Sequence, residues 1–176
     1  MKYLEKYSIN FGSLNKGIHE FRFEIDEKFF EQFENSVVQK AKADVWVTLE
    51  KKEDMLLLDF EIQGTVSLPC DRCLEELNVE VEGANELLVK FGEQESEESE
   101  DVIVIPDKAH ELNIAQYIYE YFSTLIPIRN VHPDDENGNS LCDPEALKEI
   151  EKYKAHEEEE KPADPRWDAL KNIHPN

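Results

Sequence analysis

Positive charge is what this sequence has least of: 19 Lys and Arg stand against 41 Asp and Glu, a formal net charge of −22 over 176 residues. Such a field repels phosphate backbones and attracts basic proteins. Acidity also serves plain solubility, so charge alone leaves both readings open. Direct, non-specific binding of RNA or DNA is disfavoured under either. Three runs hold part of the charge: Glu93 to Asp101 with six acids, Asp134-Asp135-Glu136 with three, and Glu157 to Glu160 with four. Setting those thirteen aside leaves 28 acids against 19 bases, so the body of the chain is acidic as well as its loops.

Other absences narrow the class further. No run of eighteen apolar residues occurs, which predicts no membrane span. Met1-Lys2-Tyr3-Leu4-Glu5-Lys6 has no apolar core behind it, which argues against secretion. Three cysteines leave one unpaired in any disulfide scheme, and that suits a reducing compartment. The expected location is therefore cytoplasmic. No G-x-S-x-G, phosphate-binding loop or H-E-x-x-H is present, the five histidines are scattered, and no small-molecule substrate suggests itself. Carboxylates are so common here that pairing them carries no information. An enzyme reading lacks a site in the sequence.

What is present is a strong two-residue alternation. His19, Phe21, Phe23 and Ile25 share a face against Glu20, Arg22 and Glu24. Ala41, Ala43, Val45, Val47 and Leu49 alternate with Lys42, Asp44, Thr48 and Glu50. After a polar turn, Leu56 to Leu68 repeats the pattern, and so does Leu77 to Phe91, with Gly83 read as a bulge. One apolar and one polar face per strand marks antiparallel sheet. A short fifth strand is read at Val102 to Ile105. Asp26 is placed to cap a short helix carrying Phe29, Phe30 and Phe33. Ile114, Tyr117, Ile118, Tyr121, Phe122 and Leu125 recur at helical spacing, with Pro127 as the stop. Asp143-Pro144 and Asp164-Pro165 read as two further helix starts. The predicted class is α+β: a long, strongly curved antiparallel sheet or partial β-barrel, covered by one or two helices. Residues 1–130 form that sheet domain, and 131–176 form an acidic loop and a partly helical C-terminal tail.

The chemistry gathers at Cys70-Asp71-Arg72-Cys73, between the two longest strand patterns and hence at a hairpin tip. A C-x-x-C in a tight turn aims both thiolates at one ion. A closed zinc site needs two more ligands, and His132 with Cys142 are the best placed, His110 less so. Thiolate and imidazole suit zinc, whereas the surrounding carboxylates do not. Structural zinc, unliganded thiols and redox work are all open at this point. Asp71, Glu75 and Glu76 should oppose thiolate formation, with only Arg72 favouring it.

The segment Gly64-Thr65-Val66-Ser67-Leu68-Pro69-Cys70-Asp71-Arg72-Cys73-Leu74, ending a long alternating strand, resembles the YceD family of bacteria and plastids. Three features agree with it. Leu125-Ile126-Pro127-Ile128 leads on to His132 and Cys142, an acidic loop precedes the main helix, and Asp164-Pro165-Arg166-Trp167-Asp168-Ala169-Leu170-Lys171 closes the chain. The resemblance runs from about residue 15 to the end, and its motifs come in order. Where some relatives carry a second C-x-x-C, this chain offers His132 and Cys142.

The resemblance implies a role in accumulation or maturation of the large-subunit (23S) ribosomal RNA, without a known catalytic activity. Joined to the charge, it implies an adaptor or chaperone-like binder of a basic ribosomal or rRNA-processing protein, associated with the RNA only indirectly. Expected contacts are Glu93, Glu95, Glu97 and Glu98 in the acidic loop, Arg72 in the knuckle, and Asp164, Arg166, Trp167 and Leu170 near the C-terminus. Rival readings are a zinc- or thiol-dependent enzyme centred on the cysteine pair, and direct binding of RNA.

Overall fold

The structure is a computed structural model that describes residues 3–34, 36–93, 96–99 and 101–153, with backbone only at 96–98. The alternating segments all become strands: β2 Gly17–Ile25, β3 Lys40–Lys51, β4 Met55–Pro69 and β5 Glu76–Gly92. They pair antiparallel in sequence order, each to the next. The register puts apolar residues opposite one another on one face. Phe23, Val45 and Ile62 form one such row, and Leu49, Leu58 and Leu87 another. A slip of one residue would turn the whole set outward, so burial fixes the pairing.

Three features differ from the sequence reading. Among the described residues the sheet is an open one of six strands that does not close into a barrel, with two shorter strands beyond β5. The strand β7, Val102–Pro106, runs parallel to β5, and its other edge takes an antiparallel β6, Ser96–Ser99. The acidic run was expected to be a loop, but its middle is this short edge strand. Charged residues suit an edge, where they discourage pairing with other chains. The irregularity in register falls there, between Glu97 and Ser99, and not at Gly83.

Gly83 stays in register opposite Ile62 for a different reason. A Cβ built on it would lie 2.2 Å from Cδ2 of Leu125. The glycine makes room for the end of the main helix. Gly64 is less forgiving, because it faces the neighbouring strand itself: a Cβ there would meet Ala43 Cβ at 2.3 Å and the Lys42 carbonyl oxygen at 2.4 Å.

The buried face is covered by α1, Glu27–Phe30, and α2, Ala115–Thr124. Asp26 caps α1, its carboxylate accepting the Phe29 N–H at 3.2 Å. Phe29 and Phe30 are buried beneath it. The rings of Phe33 and Tyr119 stack at 4.1 Å between centroids, and Phe30 meets Phe122 at 5.0 Å, joining the two helices over the sheet. The stripe predicted on α2 is core: Ile118, Tyr121 and Phe122 are buried. Each such side chain contributes about 1.5–3 kcal/mol by leaving water.

The N-terminal segment adds a layer that the alternation did not announce. Tyr7, Ile9 and Phe11 are buried, and β1, Ser8–Ile9, pairs with β8, Leu112–Asn113, just ahead of α2. The second face of the sheet carries no helix among the described residues. The remaining α-helix among the described residues is α3, Pro144–Tyr153, and no helix there is long and apolar enough to cross a membrane.

Candidate metal centre

Cys70 and Cys73 lie at the tip of the β4–β5 hairpin, where the chain turns too sharply for strand pairing to continue. The turn closes on itself through Cys70 N–H to the Glu75 carbonyl, 2.8 Å, and Leu74 N–H to the Cys70 carbonyl, 2.9 Å. Leu74 has φ +64, a left-handed conformation that a leucine adopts only at a cost of about 1–2 kcal/mol. That conformation turns the chain back into β5.

Two local devices bring the other donors to this tip. Asp71 clasps Asn130: its N–H donates to the Asn130 carbonyl at 2.7 Å, and its carboxylate accepts the Asn130 N–H at 2.6 Å. His132 follows two residues later. The chain then folds back through a turn built on Asp135, whose carboxylate accepts the N–H groups of Asn137 and Asn139 at 2.9 and 2.7 Å. Gly138 supplies the positive φ, +83, that this turn requires. The acidic run at 134–136 is thus partly structural, and those hydrogen bonds hold the Asp135 carboxyl below its ordinary range. The return leg is pinned by Leu141 N–H to the Pro133 carbonyl at 3.1 Å, and it delivers Cys142 beside His132. Asp143 caps α3 by accepting the Ala146 N–H at 2.8 Å, as the Asp-Pro pair predicts.

The result is a set of four donors. Sγ of Cys70, Cys73 and Cys142 and a ring nitrogen of His132 all lie within 4.8 Å of one another. Cys70 and Cys142 sulfurs are 3.8 Å apart, and Cys73 Sγ is 3.4 Å from His132 Nδ1. A tetrahedral ion with bonds of about 2.3 Å to sulfur and 2.0–2.1 Å to nitrogen would separate those pairs by about 3.8 and 3.6 Å. The spacing and the three-sulfur, one-imidazole chemistry both fit zinc. His110 is elsewhere: its carbonyl accepts the Gly12 N–H at the N-terminal segment.

The three sulfurs are buried, and around them Leu77, Val131, Ala146 and Leu147 form a small apolar cluster separate from the main core. Burial pushes the Cys70 thiol up, but the N–H groups of Cys73, Arg72 and His132 outweigh it and bring the thiol down to about 5. Burial raises Cys73. The Ser140 hydroxyl lowers Cys142, and the Cys70 sulfur raises the His132 imidazole. Two of the three carboxylates that the sequence sets against the thiolate have partners of their own. Asp71 holds Asn130, and Glu76 accepts from Lys40 and Ser67.

The expected partner contacts are more dispersed. Arg72 is half-buried and donates to the Ser140 hydroxyl at 3.2 Å, which ties the knuckle to the returning loop. Glu93 is exposed at the loop following β5, while Glu97 and Glu98 belong to β6. Glu95, Asp164, Arg166, Trp167 and Leu170 lie outside the described residues.

One surface residue escaped the sequence reading. Trp46 occupies a polar position of β3, and the period already placed it on the solvent side. It is 37 % exposed there, with the Arg22 guanidinium 5.7 Å from its ring centre.

No curated protein and no solved structure matches the chain. A family model does match, that of the large ribosomal RNA subunit accumulation protein YceD, over residues 58–174. The match begins within β4 and takes in all four donors, so more than half of the chain is covered. The chain belongs to the YceD family of large ribosomal RNA subunit accumulation proteins.

Proposed function

We propose that this chain is a non-enzymatic factor in the accumulation or maturation of the large-subunit (23S) ribosomal RNA. It acts as an acidic adaptor or chaperone-like binder of a basic ribosomal or rRNA-processing protein. The observation that carries this reading is the placement of the charge. Acids are not confined to loops: Glu20, Glu24, Asp44, Asp59, Glu61, Glu82 and Glu86 all stand on polar positions of the sheet. A phosphate backbone is repelled by such a surface, while a basic protein is drawn to it. Contact with ribosomal RNA is then indirect.

In this reading Cys70, Cys73, His132 and Cys142 hold a structural zinc, which supplies cross-linking of the hairpin tip to the 130–142 loop and no reaction. With four protein donors such a site is closed to substrate. The burial of all three sulfurs argues the same way against a thiol enzyme, since Cys70 has no exposed surface.

Deleting the encoding gene and measuring large- against small-subunit ribosomal RNA tests the proposal. The large-subunit RNA should fall relative to the small and recover when the chain is supplied again. An unchanged ratio would refute it.

A further inference from the structure

The uncovered face of the sheet has a centre. Reading across the register, Arg22, Trp46, Glu61 and Ala84 form one row. The row on one side is Glu20, Thr48, Asp59 and Glu86, and on the other Glu24, Asp44, Gln63 and Glu82. Trp46 is thus the aromatic residue in a field of carboxylates. A single exposed apolar side chain is ordinary; its surroundings here are not. Two grooves meet at its ring. One, of about 460 Å³, is lined by Glu20, Thr48, Asp59, Glu61 and Gln63 among others; the second, of about 390 Å³, is lined by Glu61, Gln63, Glu82, Gly83 and Ala84.

The charge on this face is unbalanced. Among the described residues, Asp44 is paired, with Arg22 at 2.8 Å, whereas Glu20, Asp59, Glu61, Glu82 and Glu86 are in no ion pair. Arg22 also shows what this surface accepts. It places a guanidinium over the indole while donating to a carboxylate beside it, through Nε at 3.2 Å and Nη2 at 2.8 Å. Both grooves beside Trp46 repeat those elements, an aromatic residue and carboxylates, without a cation among their lining residues.

We propose that this face of the sheet, centred on Trp46 with Glu20, Asp59, Glu61 and Glu82, docks an extended, arginine-bearing segment of a basic protein. Arginine fits better than lysine, since a planar guanidinium stacks on indole and forks to carboxylates together. Nucleic acid is the wrong occupant, since its phosphates would face five unpaired carboxylates. This inference rests on the adaptor reading above and names the surface that performs it.

The test uses the unaltered full chain for calorimetry and its Trp167→Phe variant for fluorescence, so that Trp46 alone reports in the second. The titrant is a ten-residue peptide alternating Arg and Gly, compared with its Lys-Gly counterpart. The Arg peptide should perturb Trp46, lose affinity as salt rises, and bind about two- to five-fold more tightly than the Lys peptide. A Glu61→Gln, Glu82→Gln variant, which keeps shape and hydrogen bonding, should weaken binding about tenfold. Binding by calorimetry with Trp46 silent and the double variant unimpaired would overturn this surface and leave the adaptor reading standing. No binding by either method would count against both. Tighter binding of an oligouridylate than of the peptide would also overturn the proposal. So would a Trp46 already shielded from acrylamide in the free chain and opened by Arg166→Glu, which would make the chain's own C-terminal segment the occupant.

Discussion

At the scale of single residues, the account turns on four side chains that the sequence separates by up to 72 positions and the fold brings together. Two of them were legible at once, because C-x-x-C between alternating runs can only sit at a turn. The other two were legible as candidates by residue type, but not the means of their delivery. The Asp71–Asn130 clasp and the Asp135 turn depend on hydrogen bonds to the backbone, which no spacing announces. The lowered Cys70 thiol is hidden for the same reason: it depends on three backbone N–H groups that residue types alone do not reveal. If the four donors hold zinc, protein purified under reducing conditions carries about one ion per chain. Cys142→Ala should then lose most of it. Because the donors pack in a cluster apart from the main core, the loss should loosen residues 70–75 and 130–147 and spare the sheet. Hydrogen exchange read segment by segment, with metal analysis, checks both points; full metal retention in Cys142→Ala would contradict the ligand assignment.

At the scale of elements, the four long strands were written plainly in the sequence, since burial on one face imposes the period of two. Direction and partner were not. Nothing in Val102 to Ile105 says that the strand lies parallel to β5, and the polarity of 96–99 hides an edge strand that needs no apolar face. Strand length suits a curved sheet and a partial barrel alike, and the open sheet covered by helices buries the same face. The glycines teach the sharper lesson. Gly83 was read as a bulge, yet its lack of a side chain admits Leu125. Gly64 sits against the backbone of β3, where a Cβ cannot be accommodated by moving a flexible side chain. In an open strand Gly→Ala is favourable by roughly 0.5–1 kcal/mol. Here overpacking should dominate, so Gly64→Ala should destabilise by about 2–3 kcal/mol. Thermal unfolding should show a midpoint lower by roughly 4–10 °C; an equal or higher midpoint would mean that the strands do not approach as described.

At the scale of the whole molecule, the sequence showed that the net charge of −22 is not a matter of loops, and the fold shows where much of it stands. One sheet face is spent on the core, and the other displays carboxylates around Trp46, which the sequence reading passed over because one tryptophan in a polar register is a weak signal. The four-donor cluster lies at one end of the β4–β5 hairpin, whereas the acidic face spans β2 to β5. The claim that unites these is that the protein reaches the ribosomal RNA through a basic protein and not by touching the RNA. Affinity capture of the full chain from lysate, with and without nuclease, tests it most directly. A basic ribosomal or rRNA-processing protein that stays bound after the RNA is digested is the predicted result. If everything captured leaves with the RNA, the account is wrong and the chain binds RNA itself.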